Sequence, residues 1–112
     1  MSMTTNSSLL VVITSLPSLE QAQTIARQLV ENRLAACVQI QQGVNSIYRW
    51  DGKICEENEV LLSAKTSRVL WEEIRGFIQN NHPYDLPEII AFTPADYEQQ
   101  YGQWVEAELK SR

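Results

Sequence analysis

Asp51-Gly52 lies between two long β-type runs, and this dipeptide constrains the fold more than any other feature of the chain. Both residues tolerate positive φ, which a two-residue hairpin turn demands. Upstream, Ala36, Val38 and Ile40 alternate with Cys37, Gln39 and Gln41, the period of a half-buried strand. Gly43 interrupts that run as a bulge or bend, and Val44 to Trp50 resumes it. The return strand runs from Ile54 to about Thr66, with Val60, Leu62 and Ala64 on one face. With the turn fixed, Trp50 pairs with Lys53 and Cys55 lies near Tyr48, while a bulge at Gly43 shifts the inner partners by one. Cys37 and Cys55 are then roughly 36 Å apart along the ribbon. A disulfide between them is excluded.

The length of the hairpin has a consequence for assembly. An arm from Ala36 to Trp50 extends about 50 Å, whereas a helix of about fourteen residues covers only about 21 Å. The tip must overhang the domain, yet it carries Ile47, Tyr48, Trp50 and Ile54. An isolated two-stranded ribbon is marginal in water, and exposed edges invite pairing. A neighbouring copy that accepts the overhang solves both problems, and these four residues are the expected interface. The alternative is a hairpin broken into two shorter pieces at Gly43.

The flanking segments supply the rest of an α+β domain. Leu9 to Ile13 is a continuous apolar strand, ended by Thr14-Ser15-Leu16-Pro17. Ser18 stands three residues before Gln21, a capping-box spacing, and Leu19, Ala22, Ile25, Ala26, Leu29 and Val30 recur on one helical face. That helix runs from Leu19 to Glu31, with Asn32 as a left-handed exit. Thr66 or Ser67 caps a second helix whose stripe is Leu70, Ile74, Phe77 and Ile78. His82 to Pro87 cannot be helical, since each proline holds its predecessor extended. Glu88 to Phe92 is the last strand. Thr93-Pro94 opens a third helix, striped by Tyr97, Tyr101, Trp104, Val105 and Leu109. Two strand–helix–strand crossovers around a central hairpin give a ferredoxin-like β-α-β-β-α-β sandwich with an extra C-terminal helix.

Residues 1–8 are expected to form a disordered N-terminal tail and residues 9–112 a single domain, since 112 residues leave no room for a second core. The net charge of −5 disfavours nucleic acid and anionic lipid, and no apolar run has the length of a membrane span. The start carries neither a basic segment nor an apolar signal core, so the expected location is the cytoplasm.

Four blocks occur in order: Leu34-Ala-Ala-Cys-Val38, Ser46-Ile-Tyr-Arg-Trp-Asp-Gly52, Lys65-Thr66 and His82-Pro-Tyr-Asp-Leu-Pro-Glu88, followed by Tyr101 and Trp104. Together they resemble the CutA family of divalent-cation tolerance proteins, from about Leu10 to Leu109. The resemblance implies a homotrimer whose long hairpins extend neighbouring sheets, with an architecture similar to that of the PII signalling proteins. It also implies a role in tolerance of copper and other divalent metals, with no established catalytic reaction. Family members with a proposed copper site read Cys-Thr-x-Pro after the first strand and His-His-Pro-Tyr after the second helix. Here the cysteine is Thr14 and the first histidine is Asn81, so His82 is the one implied metal ligand that carries over. A lone imidazole is a weak copper site, because copper and zinc want several converging ligands.

Tyr48, Lys65, Tyr84, Glu88 and Trp104 are the candidates for a small-ligand pocket at a subunit boundary. Aromatic interface packing is the competing reading, favoured for Tyr48 and Trp50. Cys37 reads as a packing residue and Cys55 as a more exposed thiol. Glu56, Glu57 and Glu59 read as a solvated acidic stretch that protects an edge, with Glu57 and Glu59 on one face. No nucleophile motif or phosphate loop is present. The expected function is therefore a non-enzymatic, metal-linked or ligand-sensing homotrimer. A structural trimer and a hydrolase or lyase using His82, Lys65 and Glu88 are the alternatives.

Overall fold

The computed structural model describes residues 8–111 and arranges them as β1 (Leu9–Leu16), α1 (Leu19–Glu31), β2 (Cys37–Trp50), β3 (Lys53–Ser67), α2 (Trp71–Asn81), β4 (Ile89–Phe92) and α3 (Gln99–Glu108). The tail assigned to residues 1–8 lies outside the described residues except for Ser8, whose hydroxyl donates to the Glu106 carboxylate at 2.6 Å. The strands form one antiparallel sheet in the order β2-β3-β1-β4, the order expected of the split βαβ plan.

The central hairpin has the expected register. Trp50 faces Lys53 and Tyr48 faces Cys55 across the ribbon, and the pairing slips between Gln41 and Val44, where Gly43 takes φ +78°. Asp51 and Gly52 turn the chain with φ of 54° and 75°. Both cysteines are free.

Alternation along the strands sorts side chains onto two faces. One face holds Leu10, Val12, Leu16, Val38, Ile40, Val60, Leu62 and Ala64, packed against Ala22, Ile25 and Leu29 of α1 and Ile74 and Ile78 of α2. The Ser18 hydroxyl accepts from the Gln21 N–H at 3.2 Å, capping the start of α1, and donates to the Gln21 side chain at 2.9 Å, so the two side chains meet although the bond runs from the hydroxyl and not from the Ser18 N–H. The opposite face is covered only at one end, where Leu9, Leu70, Val105 and Leu109 form a smaller cluster with Ala36 and Tyr97. The ribbon runs beyond both layers. The domain measures 52 × 27 × 23 Å, with a radius of gyration of 15.1 Å against about 13 Å for a compact chain of this length.

Several boundaries differ from the sequence reading, each for a local reason. β1 continues through Thr14, Ser15 and Leu16 because β3 pairs with all three. Thr66 caps nothing, since its buried hydroxyl donates to the Leu34 carbonyl at 2.7 Å, and Ser67 makes no capping bond either. A 3-10 turn at Arg68–Leu70 leads into α2 instead. Asn32 leaves α1 at φ −86°, and Arg33 takes the left-handed position at φ 58°, held by its guanidinium on the carbonyls of Glu108 and Ala107. α3 begins five residues later than Pro94 suggests. Thr93 is occupied as acceptor of an Arg68 hydrogen bond at 2.6 Å, while Glu98 caps the Tyr101 N–H at 2.8 Å. Tyr101 and Trp104 stack on each other at 5.8 Å and are exposed rather than buried, as is Val30 on α1.

Candidate functional site

β4 stops pairing with β1 at Thr14, so the next residue, Ser15, presents its carbonyl to whatever follows α2. His82 takes that position, its Nε2 lying 2.8 Å from the Ser15 oxygen. Its Nδ1 accepts from the Tyr84 N–H at 3.1 Å, which leaves Nε2 as the protonated nitrogen donating to Ser15. Burial lowers the pKa of His82 below its ordinary value, against smaller upward effects from the Ser15 carbonyl and Glu59. The ring is therefore a neutral clamp that fixes the following loop.

That loop faces the hairpin. Tyr84, its ring 5.1 Å from that of His82, donates its hydroxyl to Glu59 Oε2 at 2.7 Å. Burial, then the Glu59 hydrogen bond, push the Tyr84 phenol well above its ordinary pKa. Farther out, Tyr48 donates to Glu57 Oε1 at 3.0 Å, and that bond raises its pKa as well. Glu88 accepts from the Ser15 hydroxyl at 3.3 Å. Between the two walls is a cavity of about 550 Å³ lined by Ser15, Ser46, Tyr48, Trp50, Glu57, Glu59, Tyr84, Asp85, Leu86 and Glu88, with Pro83 at its edge. That volume lies within the range of small-molecule sites.

Of the five pocket candidates read from sequence, Tyr48, Tyr84 and Glu88 meet here. Within one subunit Lys65 lies apart from them, six residues along β3 from Glu59, where its ammonium donates to Gln39 Oε1 at 2.7 Å. Trp104 stands on α3 beside Tyr101 and does not line the cavity. Ile47 and Ile54 point to the other side of the ribbon and are 66% and 71% exposed, while Trp50, 56% exposed, is also a cavity wall.

Glu59 departs from the solvated stretch expected of Glu56, Glu57 and Glu59. It is 8% exposed rather than solvated, because alternation puts it on the same face as Glu57 and Tyr48, where Tyr84 closes over it. Cross-strand pairing opposite Val44 was the signal that could have placed it.

The residues do not fit a copper or zinc ion held within one subunit. Both His82 nitrogens are engaged, and Asn81 turns its amide back to the Phe77 carbonyl. Thr14 keeps its hydroxyl buried in the sheet without a partner. Among the described residues no three His, Cys, Asp or Glu side chains converge. Nor is any helix among them long and apolar enough to cross a membrane.

The family described as CutA1 divalent ion tolerance protein matches residues 10–108. The chain is 44% identical over 95 residues to the divalent-cation tolerance protein CutA of Thermus thermophilus, covering 85% of this chain and 92% of that one. It is 36% identical over 96 residues to the chloroplastic protein CutA of Arabidopsis thaliana, covering 86% of this chain but only 53% of the longer plant protein. The solved Thermus thermophilus divalent cation tolerance protein superposes with a TM-score of 0.88 at 41% identity, covering 91% of this chain and 99% of the other.

Proposed function

The chain belongs to the CutA1 divalent ion tolerance protein family, and on that premise we propose that it works as a cytoplasmic homotrimer that binds a small ligand rather than catalysing a reaction. The observation that carries the assembly is the overhang. The ribbon leaves Ile47, Trp50 and Ile54 more than half exposed, and the sheet face opposite α1 and α2 presents Ile90 and Phe92 uncovered. Apolar surface laid out in this way is covered most simply by the same surface of other copies. A strand edge added to a neighbouring sheet is a head-to-tail contact, which forms a ring when its rotation closes. The number three comes from the family resemblance. Two free cysteines, one on the open sheet face and one near the tip, suit a reducing compartment.

A ligand-binding role is supported by the cavity, whose aromatic and acidic walls are already fixed by the His82 clamp and the Tyr84–Glu59 bond. An enzyme using His82, Lys65 and Glu88 is disfavoured because Lys65 stands apart and both nitrogens of His82 are committed. The copper reading of His82 is disfavoured by the same two hydrogen bonds. Light scattering on wild type and Trp50→Asp tests the assembly. An uncompensated charge at a desolvated interface costs several kcal/mol, roughly, per contact. The variant should therefore dissociate or aggregate. An intact trimer would move the interface away from the hairpin tip.

A further inference from the structure

The turn between α1 and β2 has the geometry of a glycine turn and holds an arginine. The Leu34 N–H donates to the Leu29 carbonyl at 2.9 Å and the Arg33 N–H to the Val30 carbonyl at 3.0 Å. That is a Schellman ending, and its left-handed residue is Arg33 at φ 58°. Glycine takes such a conformation freely, whereas a side chain adds strain. A strained residue kept at one point of a fold directs attention to what its side chain does. Here the guanidinium reaches the far end of the chain. Its Nε donates to the Glu108 carbonyl at 2.8 Å and its Nη2 to the Ala107 carbonyl at 3.3 Å, with the Glu108 carboxylate 3.6 Å away. Both carbonyls belong to the last turn of α3, where no helical N–H follows to pair them. A planar fork of donors spans two of them at once, and its positive charge meets the negative end of the helix.

Apart from this fastening, α3 has a small footing. Of its ten residues only Gly102 and Val105 are buried, and Val105 and Leu109 pack on Leu9 and Leu70 in a cluster separate from the main core. After α3 the chain returns to the same turn, where the Lys110 N–H donates to the Arg33 carbonyl at 2.9 Å. The Lys110 ammonium then reaches Glu73 of α2 at 2.6 Å, with both side chains partly exposed, and an ion pair at such a surface is worth little. An element with few buried apolar contacts opens locally at lower cost than the core it rests on. We infer that α3 and the residues after it form a strap that opens as a unit before the rest of the domain, uncovering Leu9 and Leu70 at the end of the sheet, and that Arg33 is the positioning residue that clasps it shut. The clasp uses none of the ribbon residues given to the contact between copies, and it acts whether or not the chain assembles.

Hydrogen–deuterium exchange of the full chain at one protein concentration tests the strap, with the amides of α3 compared with those of α1. In wild type, α3 should be at least about tenfold less protected than α1. Arg33→Gly removes the clasp and relieves the positive φ in one step, and the readout separates the two effects. The relief is present with α3 docked or released, so it acts only on opening of the whole domain. Exchange in α3 should therefore rise at least about tenfold, the scale of one lost charge-assisted hydrogen bond. In α1 the relief offsets the lost clasp, and exchange should change by less than about threefold. Arg33→Lys keeps the strain and the charge but not the fork, and should accelerate α3 less than Arg33→Gly does. Arg75→Gln removes a cation that bonds only within α2, to Glu72 and Gln79, and should leave α3 unchanged. Equal protection of α1 and α3 in wild type overturns the strap. Unchanged α3 exchange in Arg33→Gly overturns the clasp. Equal acceleration of α1 and α3 in that variant overturns it too, since Arg33 would then support the whole fold rather than one element.

Discussion

Replacing His82 with alanine removes a clamp whose cost follows from its two hydrogen bonds. The Ser15 carbonyl belongs to a buried residue and loses the partner it has at 2.8 Å. An orphaned buried acceptor costs about 1–3 kcal/mol, and the 3.1 Å bond from the Tyr84 N–H, which water can replace, about 0.5–1.5 kcal/mol. The sum is about 3 kcal/mol, which at a urea slope of about 1–3 kcal/mol/M moves the unfolding midpoint by about 1–3 M. Wild type and variant must be compared at one protein concentration, because the proposed assembly would add to apparent stability. The pH dependence supplies a second check. Burial holds the His82 pKa below its ordinary value, so the unfolded chain takes up the proton first. The clamp's stabilisation is thus fully present above about pH 6.5 and is lost as pH falls through the folded pKa. The difference between wild type and His82→Ala should shrink over that interval. A midpoint shift of a few tenths molar, or a difference that stays constant on acidification, would refute the clamp.

Two glycines should respond with opposite signs. Gly43→Ala has open space around the new methyl group but must adopt φ +78°, and should lose about 1–2 kcal/mol in thermal or urea unfolding. Gly76→Ala, also in open space but inside α2, should gain up to about 1 kcal/mol by the same assay. Equal effects would mean that the bulge geometry is wrong. Copper titrated into wild type and His82→Ala should bind weakly and alike; tight binding lost in the variant would show that the imidazole releases its hydrogen bonds to take the metal.

The elements with a strong local signal were legible in the sequence. Asp51-Gly52 carried the turn and register, and Ser18 with Gln21 carried the start of α1 to the residue. Where polar side chains had alternative partners, local reading failed. Thr66 was committed to Leu34, Thr93 to Arg68, and Arg33 to the end of α3. Each of those partners is more than twenty residues away in the chain, so no nearby spacing announces it. The same applies to the site. Tyr84 and Glu88 stand out in a proline-bracketed loop, but Glu59 looks like one of several surface acids until Tyr84 is folded over it. Lys65 stands far along β3 from the part of the cavity built by its own subunit, a separation that the chemistry of a lysine does not announce.

Sedimentation equilibrium of the wild-type chain tests the central claim most directly. The overhanging ribbon and the open sheet face predict assembly, and the number three implied by the family resemblance makes the expected species three times the 12.8 kDa chain mass. That species should persist on dilution, because long hairpins laid on neighbouring sheets, as proposed, would bury more surface than a transient contact does. A monodisperse species of 12.8 kDa would contradict it, leaving Ile47, Trp50 and Ile54 as exposed side chains on a free ribbon.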